Sequence, residues 1–596
     1  MLKLSQAALL AAILSTGIGA VSAQDLSLAD NESWTDIIGD DGVDAGFSYS
    51  LSIPTVRAIN SSMDEAALRE ALSGKILEHA DELATLNATS ITIPQLTLTY
   101  TTPGYGGPNT ETLSYSDIVF DQVSNGVATI VTMGGGKMSS LAMSQEIGSF
   151  TMKDFDIGSL LAVFTPVASR PGAEMRTLYS SSETTGQKLS SDLFSCDIGG
   201  TKGGAVRARP PKVSFQDFAA AAERMNKIGT GEPEAEDFRL VIAFGADVLQ
   251  AFEYDASSFS GLNCSGKGLD EKPFAIKLGP LQSGGLKGGK LSEITFGGLS
   301  IGSGDGEMSL GSGTFKALDF SGPIKTIEAA IAEITPQWFE TNWRRLIPSW
   351  DGFALADLSV DVPDENLPGG RVKLDLASLD LTLADYINGI PSKLSSSAKG
   401  LVVPFAETST NPQIVTLLGY GINGVDLGYD LSASWDGTSK TIRIDKIGVQ
   451  GAGMGTLAIA ATIGNAAEQI FAIDNNVALA ALMGVTVKDL KIDVADTGLG
   501  NVAWPILAGQ QGVDATSFRQ KMAATAEGFA IALLGSTDTA RQLGVALSNF
   551  VLGTAGSVSI SIVANDPLGL PIPLLMQASE NPAVLGSQVT ITGTGQ

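Results

Sequence analysis

Residues 91–98 read ITIPQLTL, with large apolar residues at positions 1, 3, 6 and 8 and small or polar residues between them. The same eight-residue pattern begins again at Phe150, Ile294, Phe353, Leu374, Ile442 and Val485, as in FTMKDFDI, FALADLSV and VTVKDLKI. Successive side chains of a strand point to opposite faces, so positions 1 and 3 share one face while 6 and 8 fall on the other. An extra residue at position 4 or 5 restores the parity. Such a β-bulge bends the strand and increases its twist, so bulges in neighbouring strands predict a curved sheet with one apolar face. The same spacing also suits strands buried on both faces or interrupted by a turn. The candidate apolar surface is carried by Ile91, Ile93, Leu96 and Leu98 in one copy and by Phe353, Leu355, Leu358 and Val360 in another.

The chain of 596 residues carries 64 acidic and 37 basic side chains, a formal charge of −27. Nucleic acid and anionic lipid head groups are therefore poor electrostatic partners. Hydrophobic residues make up 44% and charged residues 17%, which excludes disorder as the general state and supplies ample core material. Lys3, an apolar run from Ala7 to Ala20, and Val21-Ser22-Ala23 before Gln24 have the layout of a secretory signal peptide with a small-residue cleavage site. Residues 1–23 are expected outside the fold, and the mature chain is expected in the periplasm or secreted. No later run approaches the ~20 apolar residues of a membrane helix, so no transmembrane anchor is expected once the signal is removed. Cys196 and Cys264 are the only cysteines, and an even count in an exported chain makes one disulfide the default.

Outward from the repeated word the chain reads as α+β and β-rich, with antiparallel meanders forming curved sheets, covered by amphipathic helices and carrying degenerate internal repeats. After the signal, residues 24–46 form an acidic lead. An N-terminal α+β domain over 47–198 precedes a Gly/Pro/Arg-rich linker at 199–213. A middle α+β domain over 214–350, a C-terminal α+β domain over 351–565 and an extension over 566–596 follow. Helices are expected over Met63–Leu86, from Ser214 onward, over Ile324–Trp343 and within Asp514–Leu552. Hairpins are expected at Asn125-Gly126, Asp305-Gly306 and Asp436-Gly437. In the last, Tyr429, Leu431, Ala433 and Trp435 should face Ile442, Ile444 and then Ile447 and Val449 across a bulge.

Motifs with chemical content are weak. Gly298-Leu299-Ser300-Ile301-Gly302 matches a nucleophile elbow as a string, but Ser300 lies inside a strand word and the lone histidine, His79, is upstream. His79 itself sits among Glu78, Asp81 and Glu82 and reads as a surface residue. Gly419–Gly424 fits a dinucleotide fingerprint, but a helix precedes it and a strand follows, the reverse of what a bound phosphate needs. Gly284–Lys290 approaches a P-loop, with Leu291 where the Mg²⁺-binding hydroxyl belongs. Asp40, Asp41 and Asp44, or Asp305 and Glu307, offer oxygen ligands for calcium without forming a complete binding loop. No catalytic residue, cofactor or metal is expected, and the chain reads as a non-enzyme.

The exported N-terminus, the helices interleaved with strands of the form h-x-h-x-x-L-x-h, and the lack of catalytic motifs resemble bacterial envelope proteins of the AsmA-like and YdgA-like kind. The segments VTVKDLKIDVADTGLGNVAW and LAGQQGVDATSFRQKMA are similar to a recurrent feature of uncharacterised secreted bacterial proteins. The resemblance implies an extended, one-sidedly apolar β-surface associated with envelope lipid. AsmA-like proteins retain an N-terminal membrane helix, whereas the Val21-Ser22-Ala23 site here predicts its removal. Two functions follow as expectations: a periplasmic protein holding an envelope lipid or other apolar ligand on a curved sheet, or a structural or adhesive envelope protein with closed cores and no ligand.

Overall fold

The computed structural model describes residues 48–596 apart from 105–106, 140–142, 165–172, 228–232, 269–270, 365–369, 535–536 and 581. The expected signal peptide, the acidic lead and Asp40, Asp41 and Asp44 lie outside the described residues. The chain divides into two compact units, one taking the described residues to Asp305 with Thr314–Pro348, the other Gly306–Gly313 with Ser349–Gln596. Both are β-rich with antiparallel, curved sheets and accompanying helices.

The described part of the first unit opens on short strands at Ser48–Ser52 and Arg57–Ile59, followed by a helix at Glu65–Leu72 capped by the Asp64 carboxylate, which accepts from the Ala67 N–H at 2.7 Å. The expected single helix over Met63–Leu86 is instead two, the second at Ala80–Ala84. Gly74, at φ 127°, ends the first where no side-chain-bearing residue is comfortable. Long strands at Ala88–Gly104 and Gly107–Ser124 pair along their length, and the chain returns through Asn125-Gly126 into Val127–Met133. Both turn residues have positive φ, 48° and 74°, the geometry of the tight hairpin that this dipeptide predicts. Phe150–Asp156 then joins the same sheet and runs directly into a helix, Ile157–Phe164.

The parity offset of the repeated word has a visible cause. In FTMKDFDI the fifth residue, Asp154, is left-handed at φ 51°; in FALADLSV it is Asp357 at 55°; in the copy at Ile294 it is Gly298 at 63°. Opposite ITIPQLTL the left-handed residue is Asp117 on the partner strand, facing Pro94, and both drop out of an otherwise unshifted ladder. In LDLASLDL the break falls at Ala377, between Asp357 on one neighbour and Gly400, φ 62°, on the other. The copies at Ile442 and Val485 use the expected device, an extra residue, with register shifts at Asp445 and at Lys488. Either way the offset is absorbed. Ile91, Ile93, Leu96 and Leu98 are all buried, as are Phe150, Met152, Phe155 and Ile157.

In the first unit these kinks align from strand to strand into two lines. One passes through Asp117, Gly135, Gly148, Gly186, Gly199, Gly261, Gly279 and Gly298, stitched by bonds such as Gly148 N–H to Gly186 O at 2.7 Å and Gly199 N–H to Gly261 O at 2.7 Å. The other passes through Gln122, Asp154, Ser180, Gly204, Ala256 and Gly285. The lines run five or six residues apart on each strand, as in Asp117 and Gln122, Gly148 and Asp154, or Ala256 and Gly261. Where the step is five, four residues lie between kinks, and two of them point inward. The eight-residue word therefore spans one kink with two inward residues on either side, and extended backward from Ile91 it also collects the buried Leu86 and Ala88.

This geometry accounts for the Gly-rich tracts. Residues 199–213, expected as a linker, supply strands Thr201–Gly203 and Val206–Ala208, which pair with Ser181–Thr184 and with Phe252–Tyr254. Glycine is required because the kinked strands approach closely: a Cβ on Gly279 would lie 1.7 Å from the Gly297 carbonyl oxygen. Cys196 and Cys264 face each other on paired strands and form the expected disulfide. Ser214 caps the helix Phe215–Lys227 through the Asp217 N–H at 3.0 Å. The helix expected over Ile324–Trp343 is broken into Ser321–Ala330 and Pro336–Asn342, because Thr335 caps a new start and Pro336 has no N–H to continue the old one.

The second unit holds a nine-strand antiparallel meander in chain order: Gly352–Pro363, Arg371–Ile387, Ile390–Pro404, Gly424–Asp436, Thr441–Gly451, Gly455–Gly464, Thr486–Asp496, Ser557–Ala564 and Val589–Gly595. Helices Ala515–Leu534 and Asp538–Leu552 pack on its C-terminal end over a small core of Ala530, Leu543, Leu570, Val589 and Ile591. Leu570, Val589 and Ile591 belong to the stretch read as an extension over 566–596. That stretch is part of the unit, because its strand Val589–Gly595 closes the sheet edge at Ser557–Ala564.

Candidate functional site

The first eight strands of the second unit's meander contribute mostly apolar residues to the same cross-strand rows. One row runs Phe353, Leu381, Ser396, Leu431, Ile447, Ile459, Ile492 and Ile560. The next runs Leu355, Leu379, Ala398, Tyr429, Val449, Leu457, Val494 and Val558. Leu358, Leu376, Leu401 and Leu427 form a third beyond the kink at Asp357. With strands about 4.8 Å apart, eight strands make a face about 34 Å long. The expected partners Ile442, Ile444, Ile447 and Val449 do face Trp435, Ala433, Leu431 and Tyr429, with Asp445 as the bulged residue.

The alternate residues are polar. Asp430 pairs with Lys446 at 2.9 Å, Lys491 with Asp493 at 2.8 Å and Arg443 with Asp445 at 2.7 Å. The Lys491 ammonium holds the Asp493 carboxyl below the usual carboxylate range, with the Ser559 hydroxyl helping. The sheet thus has one apolar and one ionic face.

Coverage of the apolar face is uneven. At the C-terminal end Leu543 and Leu547 pack near Ile560 and Ile562. Toward the middle, Tyr429 is 38% exposed, Ile447 39%, Val449 51% and Leu457 40%. A contiguous apolar patch left open to water at a sheet centre is a binding feature more often than a packing accident. Phe353 stacks on Trp350 with ring centroids 5.9 Å apart, and Trp435 meets Phe471 edge-on at 5.1 Å while donating its indole N–H to the Ala466 carbonyl at 2.7 Å. These aromatic contacts pin the edges of the face.

The two halves of the sequence-derived apolar set separate here. Ile91, Ile93, Leu96 and Leu98 are buried, the first three inside the closed core of the first unit, where no ligand reaches them. Phe353, Leu355, Leu358 and Val360 are half-buried on the partly open face. Sequence reasoning did not single out Tyr429, Val449 and Leu457 as an exposed cluster. Their signal was the alternation around Asp436-Gly437, read there as strand pairing only.

The chemical motifs fall where strands need them. Ser300 is in the middle of Ile294–Ser303, opposite Lys277, with no helix start beside it. His79 contacts the Glu82 carboxylate at 2.6 Å at the start of a five-residue helix. Gly419 ends one helix and Gly424 begins a strand, the order unsuited to a dinucleotide. Gly288 and Gly289, at φ 57° and 77°, turn a short hairpin rather than cradle a phosphate.

Among known proteins, the family model that matches is described as "Uncharacterized protein" and covers residues 448–595, all within the second unit. No curated protein matches the chain. Among the described residues no helix is long and apolar enough to cross a membrane.

Proposed function

We propose that this chain is a non-enzymatic protein of the cell envelope that holds the acyl part of an envelope lipid, or a similar apolar ligand, against the open face of its second unit. The observation carrying this reading is the solvent-accessible cluster of Tyr429, Ile447, Val449 and Leu457 within a largely apolar face. A linear hydrocarbon laid along the rows removes apolar area from water without stranding a polar group. The formal charge of −27 favours a ligand with a neutral or zwitterionic head group over an anionic one. Export, suggested by the N-terminal residues and compatible with the disulfide, and the AsmA-like style of the strands support the envelope setting.

Native mass spectrometry of the protein purified without detergent is expected to show co-purifying lipid, and a fluorescent fatty acid is expected to bind saturably. The double substitution Ile447→Asp, Val449→Asp should abolish uptake while far-ultraviolet circular dichroism is retained. Lipid-free protein with no fatty-acid uptake overturns the reading and favours a structural or adhesive role, which the closed core of the first unit suits.

A further inference from the structure

The first unit holds a half-open pocket of about 710 Å³, within the size range of small-molecule sites. Its origin can be traced residue by residue along one cross-strand row. Met152 faces Ser182, Ser182 faces Gly203, Gly203 faces Ser257 and Ser257 faces Ser283. The backbone continues, and the inward positions continue, but the side chains shrink from methionine to serine and glycine. Where the preceding strands fill their interior with Ile118, Val131, Met133 and Phe155, this row leaves space. A space of this volume holds roughly 20 waters at liquid density.

The walls have two characters. Tyr179, Phe252, Tyr254 and Phe259 present aromatic surface. Against them stand hydroxyls: Thr184 Oγ1 lies 3.0 Å from Thr201 Oγ1 and accepts from the Thr201 N–H at 2.9 Å, with Ser182 and Ser257 in the adjacent row. Two of the three charged groups at the lining, Lys202 and Asp255, are paired with an opposite charge of the protein, whereas the Glu253 carboxylate accepts a backbone N–H that carries no compensating charge. Lys202 pairs with Glu183 at 2.9 Å, Asp255 receives two bonds from Arg207 at 2.8 and 3.1 Å, and Glu253 accepts from the Gly288 N–H at 3.3 Å. An anionic ligand entering here would meet the Glu253 and Asp255 carboxylates and would displace the partner of Lys202 or remain uncompensated, which is costly away from water.

We propose that this cavity is a second, independent binding site, taking a compact, uncharged, ring-bearing molecule with one or two hydroxyl or carbonyl groups. The rings lie against the aromatic wall, and the polar groups bond to the Ser182, Thr184, Thr201 and Ser257 hydroxyls. It is distinct in place and in chemistry from the acyl surface of the second unit.

The test uses the full chain and N-phenyl-1-naphthylamine, an uncharged three-ring probe that tests the aromatic wall through its rings and the hydroxyls through its one N–H, and whose fluorescence rises on leaving water. Saturable one-to-one binding is expected, with at least tenfold weaker binding of the anionic analogue 1-anilinonaphthalene-8-sulfonate. Ser182→Leu fills the row and is expected to weaken the uncharged probe at least tenfold. Ser257→Leu, at a half-buried position of the same row, does the same if the first variant does not fold. The Ile447→Asp, Val449→Asp protein should bind the naphthylamine as tightly as the unaltered chain while losing fatty acid, so the two sites succeed or fail separately. Absence of saturable binding, undiminished affinity in a folded leucine variant, or loss of the naphthylamine in the second-unit variant overturns the proposal.

Discussion

The two units apply one device, a strand that changes faces at a left-handed or bulged residue, to opposite ends. In the first, the eleven largest fully buried side chains among the described residues, Phe155, Met133 and Leu161 among them, all lie within one unit. In the second, 20 of the 25 exposed large hydrophobics among the described residues are found, against five in the first, Ile59, Leu193, Ile301, Phe315 and Trp343. Equal hydrophobic patterning therefore does not mean equal burial. The first unit closes its kinked sheet on itself and on the helices at Glu65–Leu72 and Ile157–Phe164, whereas the second covers only its C-terminal end. A closed face contributes stability, and an open one leaves free energy to be gained on binding.

The largest effect expected from this contrast is on truncation. Phe155→Ala should destabilise the first unit by about 4 kcal/mol, whereas Ile447→Ala should cost the second about 1 kcal/mol or less. Hydrogen-exchange protection of peptides from each unit reads this directly, and similar losses would break the comparison. Replacing both Cys196 and Cys264 by Ala opens a loop of sequence separation 68 and should cost about 3 kcal/mol. That loss belongs to the first unit alone, so urea-induced exposure of the second should not move.

A smaller loss is expected at Asp247, a buried carboxylate. Burial pushes its pKa up, but the Arg209 guanidinium, at 2.6 and 3.1 Å, and the Lys212 N–H, at 2.7 Å, bring it below the ordinary carboxylate range. Because the folded value is the lower one, its stabilisation is complete above the unfolded value near 4 and is lost as pH falls through the folded value. Asp247→Ala should therefore cost about 2 kcal/mol at pH 7 and progressively less as the pH falls below about 4, measured by urea unfolding across that range. A constant difference across the range would remove the ion pair from the account.

The smallest expected change concerns the device both units share. Asp154→Ala and Asp357→Ala should each cost about 1 kcal/mol, and the corresponding glycine variants less, since only the latter adopt a left-handed backbone freely. Thermal melting that ranks alanine equal to glycine at both positions would mean that backbone hand is not what turns these strands.

Much of the strand architecture was readable beforehand. ITIPQLTL and FTMKDFDI announce a change of face, and Asn125-Gly126 and Asp436-Gly437 announce hairpins, because these are properties of a few consecutive residues. The interruptions at Gly74 and Pro336 were also written in the chain but were overridden by helical spacing on either side. The Gly-rich tract at 199–213 was misread for a different reason: glycine marks a close backbone approach as readily as a loop, and the strand approached is distant in sequence. The cavity left no local trace at all, since Ser182, Gly203, Ser257 and Ser283 become neighbours only through pairing.

What the amino acids decided by themselves is the change of face within the eight-residue word, the turns, and the availability of two thiols for one bond, each governed by backbone preference or simple counting. Which kinks fall into line, which face is sealed and where a hollow remains were decided only by the folded chain. Those outcomes depend on side chains separated by tens to hundreds of residues meeting across strands, and no window along the sequence contains both partners of such a contact.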